Sequence, residues 1–292
     1  MADIFLDALF DSLKVFPFLF LLYVLIEFLE HRTDVTRHEN LLKGNLAPLL
    51  GAATGLIPQC GFSVMAAKLY DKKLIRTGTV LAVFLATSDE ALIILLSHVT
   101  DGSKAAAIMP IIAIKFIVAV GIGYLANALL RFETVGELRE GEIICGNACG
   151  QDHEEDGKFH RYFLHPLLHS LEIFFYIFAV NILFGIILYF VGEDKLAAAL
   201  RSGYWLQPLI AAAIGLIPNC ASSVVITETY ILGGLSFGGC VAGLCANAGL
   251  GFVTLFKNTH AWKRNLLLAL TLYVVGVAVG YAVDGVMAAI GI

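Results

Sequence analysis

Gly55-Leu56-Ile57-Pro58-Gln59-Cys60 returns as Gly215-Leu216-Ile217-Pro218-Asn219-Cys220, and this six-residue word, met twice, decides how the chain is to be read. Carried outward without gaps at a constant separation of 160 positions, residues 46–92 match 206–252 at 16 of 47 places, among them Pro48/Pro208, Ser63/Ser223, Tyr70/Tyr230 and Gly78/Gly238. A shared apolar bias gives fewer identities and does not regenerate the word. Upstream, at a separation of 158, Asp7-x-x-x-Asp11-Ser12-Leu13 faces His165-x-x-x-His169-Ser170-Leu171. Two homologous halves are a signature of many secondary transporters.

The composition places those halves in a membrane. Of 292 residues, 59% are hydrophobic and 15% charged, whereas globular chains carry about 45–50% apolar and about 25% charged residues. The runs 106–130, 173–192 and 265–283 are long enough to cross a hydrocarbon core of ~30 Å as helices. Extended period-2 alternation is missing, so the expected class is an all-α polytopic membrane protein and not a barrel. A formal charge of −5 and the lack of a Lys/Arg run exclude nucleic acid as the partner. Of the six cysteines, Cys60, Cys220, Cys240 and Cys245 lie in apolar segments and only Cys145 and Cys149 in a polar one, which is no secreted disulfide framework. The start, MADIFLDALFDSLKVF, is acidic where a cleavable signal would be basic, so the whole chain is read as mature.

Counting crossings fixes the orientation of the halves. The first half reads as a spanning helix at about 12–30, a Pro-interrupted pair at about 46–57 and 61–71, and spanning helices at about 77–97 and 106–130. Arg32, Arg37 and Lys43 precede the pair and Lys68, Lys72, Lys73 and Arg76 follow it, so both its ends are expected in the cytoplasm. The pair is therefore read as a re-entrant hairpin with its tip in the membrane. Three crossings per half invert the second half. Its hairpin, about 206–232, then enters from outside, where the exit loop has no Lys or Arg, while the basic loop Lys257 to Arg264 falls inside. Residues 1–130 and 163–292 form the two repeats, with termini outward. The linker 131–162 lies inward, carrying Cys145-x-x-x-Cys149-x-x-x-His153 among acids. That segment is either a solvated tether or a weak docking site for a soft or borderline cation.

Ionisable groups at membrane depth are costly unless paired, hydrated or functional. Thr87-Ser88-Asp89-Glu90 interrupts an apolar run with adjacent carboxylates, whose directions differ by about 100° unless the helix is broken there. They are read as a cation or proton site, the alternative being a buried ion pair with Lys115. His165 and His169, at i and i+4 with Glu172 beyond, share one helix face and are candidate metal ligands, or else interfacial histidines. Asp7 and Asp11 hold the same places in the first half. At the hairpin tips Gln59, Cys60, Asn219 and Cys220 follow the breaking prolines, where unwound backbone can line a substrate pathway; buried thiols are more often simple packing. Asn247 is the neutral counterpart of Thr87, so only one half is charged at that depth. No HExxH and no nucleotide motif is present, so no enzymatic activity is expected.

Gly55-Leu56-Ile57-Pro58-Gln59-Cys60-Gly61-Phe62-Ser63, Thr87-Ser88-Asp89-Glu90-Ala91 and His165-x-x-x-His169-Ser170 resemble the ten-transmembrane heavy-metal exporter family, whose members carry labels such as manganese transporter or arsenic efflux protein. The resemblance spans nearly the whole chain. The second tip departs from it, reading Asn219-Cys220-Ala221-Ser222 where Gln-Cys-Gly-Phe would repeat. Counting each hairpin as two segments reconciles ten segments with six crossings. The resemblance implies metal efflux across the cell membrane, with Mn²⁺ first by label, the metal being cargo and no resident cofactor required. Asp89 and Glu90 are the expected central ligands, His165 and His169 the cytoplasmic-side ones, Asp7 and Asp11 the outer ones, and one carboxylate is a candidate for proton exchange. A homodimer is left open. Two rivals stand beside this reading. One is a permease for arsenite, an organoarsenical or another anion using Lys115, Ser63, Ser222 and Ser223; the other is a metal-binding membrane enzyme or sensor.

Overall fold

In both halves a helix ends at the repeated word. The computed structural model describes residues 46–57, 60–71, 73–87, 102–130, 203–257 and 261–290, together with single positions between 9 and 20, at 44, 91, 92 and 95, between 167 and 186, and at 198–201. Helix α1 (Ala47–Gly55) begins with Pro48 in its first turn, where a missing N–H costs nothing, and closes with Leu56 N–H on Ala52 O and Ile57 N–H on Thr54 O. After the break comes α2 (Cys60–Asp71), then α3 (Thr77–Ala86) and the long α4 (Gly102–Leu129). The second half repeats the plan. A 3₁₀ turn (Tyr204–Leu206) leads into α5 (Gln207–Gly215), again with Pro208 in the first turn and the same closing bonds, from Leu216 to Ala212 and from Ile217 to Ile214. Then follow α6 (Cys220–Ile231), α7 (Phe237–Ala246), α8 (Gly251–Lys257) and α9 (Trp262–Ile290). Every regular element among the described residues is helical.

Backbone proximity at glycine makes the two halves pack alike. A Cβ on Gly78 would come 2.2 Å from the Gly123 carbonyl oxygen, and one on Gly238 would come 2.3 Å from that of Gly280. On the facing side Gly123 meets Pro48 and Ala82, while Gly280 meets Pro208 and Ala242. Small residues bring helix backbones together where lipid supplies no hydrophobic drive between them. Helices α1 and α5 nest the same way: a Cβ on Gly55 would approach Val83 O to 2.6 Å, and one on Gly215 would approach Gly243 O to 2.1 Å. Even the caps correspond. The Gly78 N–H donates to Asn127 Oδ1 at 3.0 Å and the Gly238 N–H to Asp284 Oδ1 at 2.8 Å. Gly280 and Asp284 follow Gly123 and Asn127 by 157 positions, so α4 and α9 belong to the repeat with three residues lost between.

In the second half the start of α5 is bonded to the loop that follows α6, and in both halves the far end of the first short helix packs on the end of the helix that follows the pair. Gln207, opening α5, donates from Nε2 to Gly234 O at 3.1 Å and accepts the Ser236 N–H at 2.8 Å, tying the entrance to the exit loop. Gly215 at the far end of α5 already lies beside Gly243 in the last turn of α7. In the first half, Tyr70 at the end of α2 shares a 2.9 Å hydroxyl bond with Thr77 at the start of α3, while Gly55 lies beside Ala86 at the end of α3.

The end of α2 and the turn before α7 sit at different ends of α9. Arg264 in its first turn pairs with Asp71 at 3.1 Å and lies 4.5 Å from the Tyr70 ring centroid. Asp284 near its last turns accepts from the Ser236 hydroxyl at 2.9 Å. Twenty residues separate Arg264 from Asp284, about 30 Å of helix, which is the thickness of a hydrocarbon core. The outer faces of α4 and α9 are apolar and exposed, with Met109, Ile117, Leu125, Leu267 and Val274 outward, as a lipid-facing surface requires. Between the halves, Phe84 of α3 meets Phe252 of α8 edge-on at 5.6 Å, and Gly251 abuts Ser63 of α2. Phe16 and its repeat partner Phe174 also meet edge-on, with centroids 5.4 Å apart.

One expected element is corrected. Residues 77–97 are not a single continuous helix: α3 stops at Ala86, with Thr87 at φ −51°, ψ 124°, and helix is assigned again at Ala91 and Leu92. The apolar run carries no proline to announce that stop. The Thr87 carbonyl freed there accepts from Lys115 of α4.

Candidate functional site

The last turn of a helix leaves carbonyl oxygens without intrahelical partners and carries the negative end of the helix dipole. In this protein two such ends converge. Helix α3 ends at Thr87, whose N–H and hydroxyl both return to Val83 O, at 2.9 and 2.8 Å. Helix α7 ends 160 positions later at Asn247, φ −80° and ψ 105°, with its N–H on Gly243 O at 3.2 Å. Between the ends lies Lys115, 1% exposed. Its Nζ donates to Thr87 O at 2.5 Å and to Leu244 O at 2.7 Å, one carbonyl from each half of the repeat.

Lys115 stands midway along α4, about 20 Å from either end of that helix. A buried ammonium costs several kcal/mol unless it is bonded and faces negative charge. Two convergent C-terminal ends supply that environment, and the lysine in turn holds the carbonyls that a continuous helix would have used internally. In the second half the corresponding place on α9 is Leu272, 0% exposed. Among the described residues, the buried side chains that carry formal charge are thus Lys115 at the centre and Asp284, the cap of α7.

The amide side chains expected to line the pathway have local work. Asn219, 8% exposed, is the N-cap of α6, its Oδ1 accepting the Ala221 N–H at 3.3 Å. Beside it the Ser222 hydroxyl donates to Asn219 O at 2.7 Å and Ile217 O at 3.1 Å. Asn247 Oδ1 accepts the Gly249 N–H at 2.8 Å, closing a turn in which Gly249 has φ +55°, a left-handed conformation that favours glycine. Cys60 and Cys220 are the first residues of α2 and α6, on the helical side of each tip. Asp7, Asp11, Gln59, Asp89, Glu90, Cys145, Cys149, His153, His165, His169 and Glu172 lie outside the described residues. Among those described, no group of three or more His, Cys, Asp or Glu side chains is gathered to hold a metal.

Sequence reading missed three features. Lys115 was set beside Asp89 and Glu90 only as the alternative of a buried ion pair, and its bonds to main-chain carbonyls of both halves were not foreseen. Asn127 and Asp284 were not singled out, although a comparison allowing a three-residue gap after position 92 would have aligned them. The Arg264–Asp71 pair joins residues 193 positions apart, beyond any local pattern.

Paired discontinuous helices around a charged centre, sheathed by long apolar helices, define a multi-pass membrane protein built like a transporter. Residues 2–164 and 170–289 match the family described as "Putative, 10TM heavy-metal exporter", and the chain belongs to that family. No curated protein and no solved structure gives a significant match.

Proposed function

We propose that the protein is a secondary transporter exporting a divalent transition-metal cation, Mn²⁺ foremost, on an inverted two-fold scaffold with two re-entrant hairpins. The observation that carries the reading is the convergence of the α3 and α7 C-terminal ends midway along the bundle. Two helix C-terminal ends favour a cation there. Asp89 and Glu90 follow the Thr87 cap directly in sequence and supply hard oxygen ligands of the kind Mn²⁺ takes. His165 and His169 serve the cytoplasmic mouth, Asp7 and Asp11 the outer one, and Glu90 or Asp89 exchanges protons to drive export. Inversion is supported by the placement of the repeat-related loops 72–76 and 232–236 beside opposite ends of α9. The Phe16–Phe174 contact agrees, because repeat partners touch one another only near a two-fold axis.

The test is Mn²⁺ flux in proteoliposomes. Asp89→Asn and His169→Ala each lower flux by about tenfold or more while the protein stays monodisperse; unchanged flux in both removes the proposed ligands. The buried Lys115 favours a second reading, an oxyanion permease. On that reading flux of an arsenical anion survives Asp89→Asn and is lost in Lys115→Met.

A further inference from the structure

We infer that the Lys115 ammonium is a tethered stand-in for the transported cation, holding the carbonyl ends of α3 and α7 when the metal is absent and yielding them when it binds. The inference rests on the cation-export reading above and adds to it a competitor built into the site. Three observations carry it. The ammonium is 1% exposed and midway along α4, so it occupies the place where the two helix ends meet. Its acceptors, Thr87 O and Leu244 O, belong to different halves, so a single side chain bonds the two units whose relative movement would open the pathway. Leu272 fills the corresponding position in the other half, so the fold does not require a cation there for packing.

Charge then sets selectivity. A divalent ion at the same oxygens gains about twice the Coulomb energy of an ammonium and, on this reading, recovers the larger cost of shedding its water from the carboxylates of Asp89 and Glu90, whereas Na⁺ or K⁺ gains only about as much as the ammonium it would displace. Lys115 therefore excludes monovalent ions and lets a divalent one in. The flexible four-carbon stem allows the ammonium to withdraw without moving α4. On release of the metal it returns, restoring the bond between halves and preventing the empty site from retaining its cargo.

Opposite substitutions test this through the split between KM and kcat. Lys115→Met removes the competitor and keeps the volume: the KM for Mn²⁺ falls by about tenfold or more, kcat falls with it, and K⁺ becomes a competitive inhibitor. Lys115→Arg keeps a charge that grips two carbonyls at once, so KM rises by about threefold or more. A residue needed only for stability would move both variants the same way. KM values that shift together, or a methionine variant still indifferent to K⁺, overturn the inference. If Lys115→Met yields no folded protein, the arginine variant decides alone, and an unchanged or lowered KM overturns it. Wild-type protein that moves no Mn²⁺ removes the export reading and this inference together. Wild-type transport with KM unmoved in both variants removes only the inference.

Discussion

At the scale of single residues, the fold depends on where a side chain is missing. Gly78 and Gly238 are repeat partners, and each brings the first turn of one helix against a carbonyl of the next, with no room for a methyl group. Gly121 and Gly285, on the same long helices, have open space around the position of a Cβ. Gly78→Ala and Gly238→Ala should therefore each cost about 1–3 kcal/mol through overpacking, while Gly121→Ala and Gly285→Ala leave stability within about 0.5 kcal/mol. Melting temperatures in detergent would show the contrast, and equal losses at all four positions would remove the close-packing explanation. The repeat made Gly78 and Gly238 visible in the sequence. Which backbone they approach was not, because that partner is decided by α4 and α9, far along the chain.

At the scale of elements, the helices start and stop with help from neighbours. Helix α7 has Ser236 as its own N-cap, accepting the Gly239 N–H at 2.9 Å, and borrows Asp284 from α9 for the Gly238 N–H. Helix α3 has Arg76 at the cap without a side-chain bond and borrows Asn127 from α4. An amide in one half and a carboxylate in the other do the same task. Asp284→Asn should then retain most of the stability, whereas Asp284→Ala leaves a buried N–H and a hydroxyl without their acceptor and costs about 1–3 kcal/mol. Thermal unfolding with parallel flux measurements separates the roles. If Asp284→Asn abolishes transport at unchanged stability, Asp284 belongs to the ion pathway and is more than a cap. Asn219→Ala should cost about 1 kcal/mol through loss of the α6 cap. The prolines marked the helix breaks between α1 and α2 and between α5 and α6 in advance. The break at Thr87 was hidden, since nothing in Val83-Phe84-Leu85-Ala86 departs from a good apolar helix.

At the scale of the whole molecule, the end of α2 and the turn before α7 lie beside opposite ends of α9, and the first is clasped to the other half. Arg264 and Asp71 are about a third exposed, so their ion pair alone is worth little; stacking of the guanidinium on Tyr70 adds a geometric constraint. Cysteines introduced at Lys73 and Leu232, in a background free of other reactive thiols, report the arrangement directly. A membrane-impermeant maleimide added to sealed cells should label Leu232→Cys and spare Lys73→Cys, which reacts only after the membrane is opened. Labelling of both from one side would mean that the halves are parallel.

The sequence by itself determined the membrane class, the recurring word and the helix breaks beside it, because each is written in local composition or in a word that recurs. Their physics is short-range: a proline removes its own N–H, and an apolar run partitions into lipid wherever it stands. Only the tertiary structure decided where those helices terminate and what they converge upon. The ends of α3 and α7 meet at Lys115, separated from Thr87 by 28 positions and from Leu244 by 129. A buried ammonium takes whichever carbonyls packing delivers, and packing is a property of the assembled bundle.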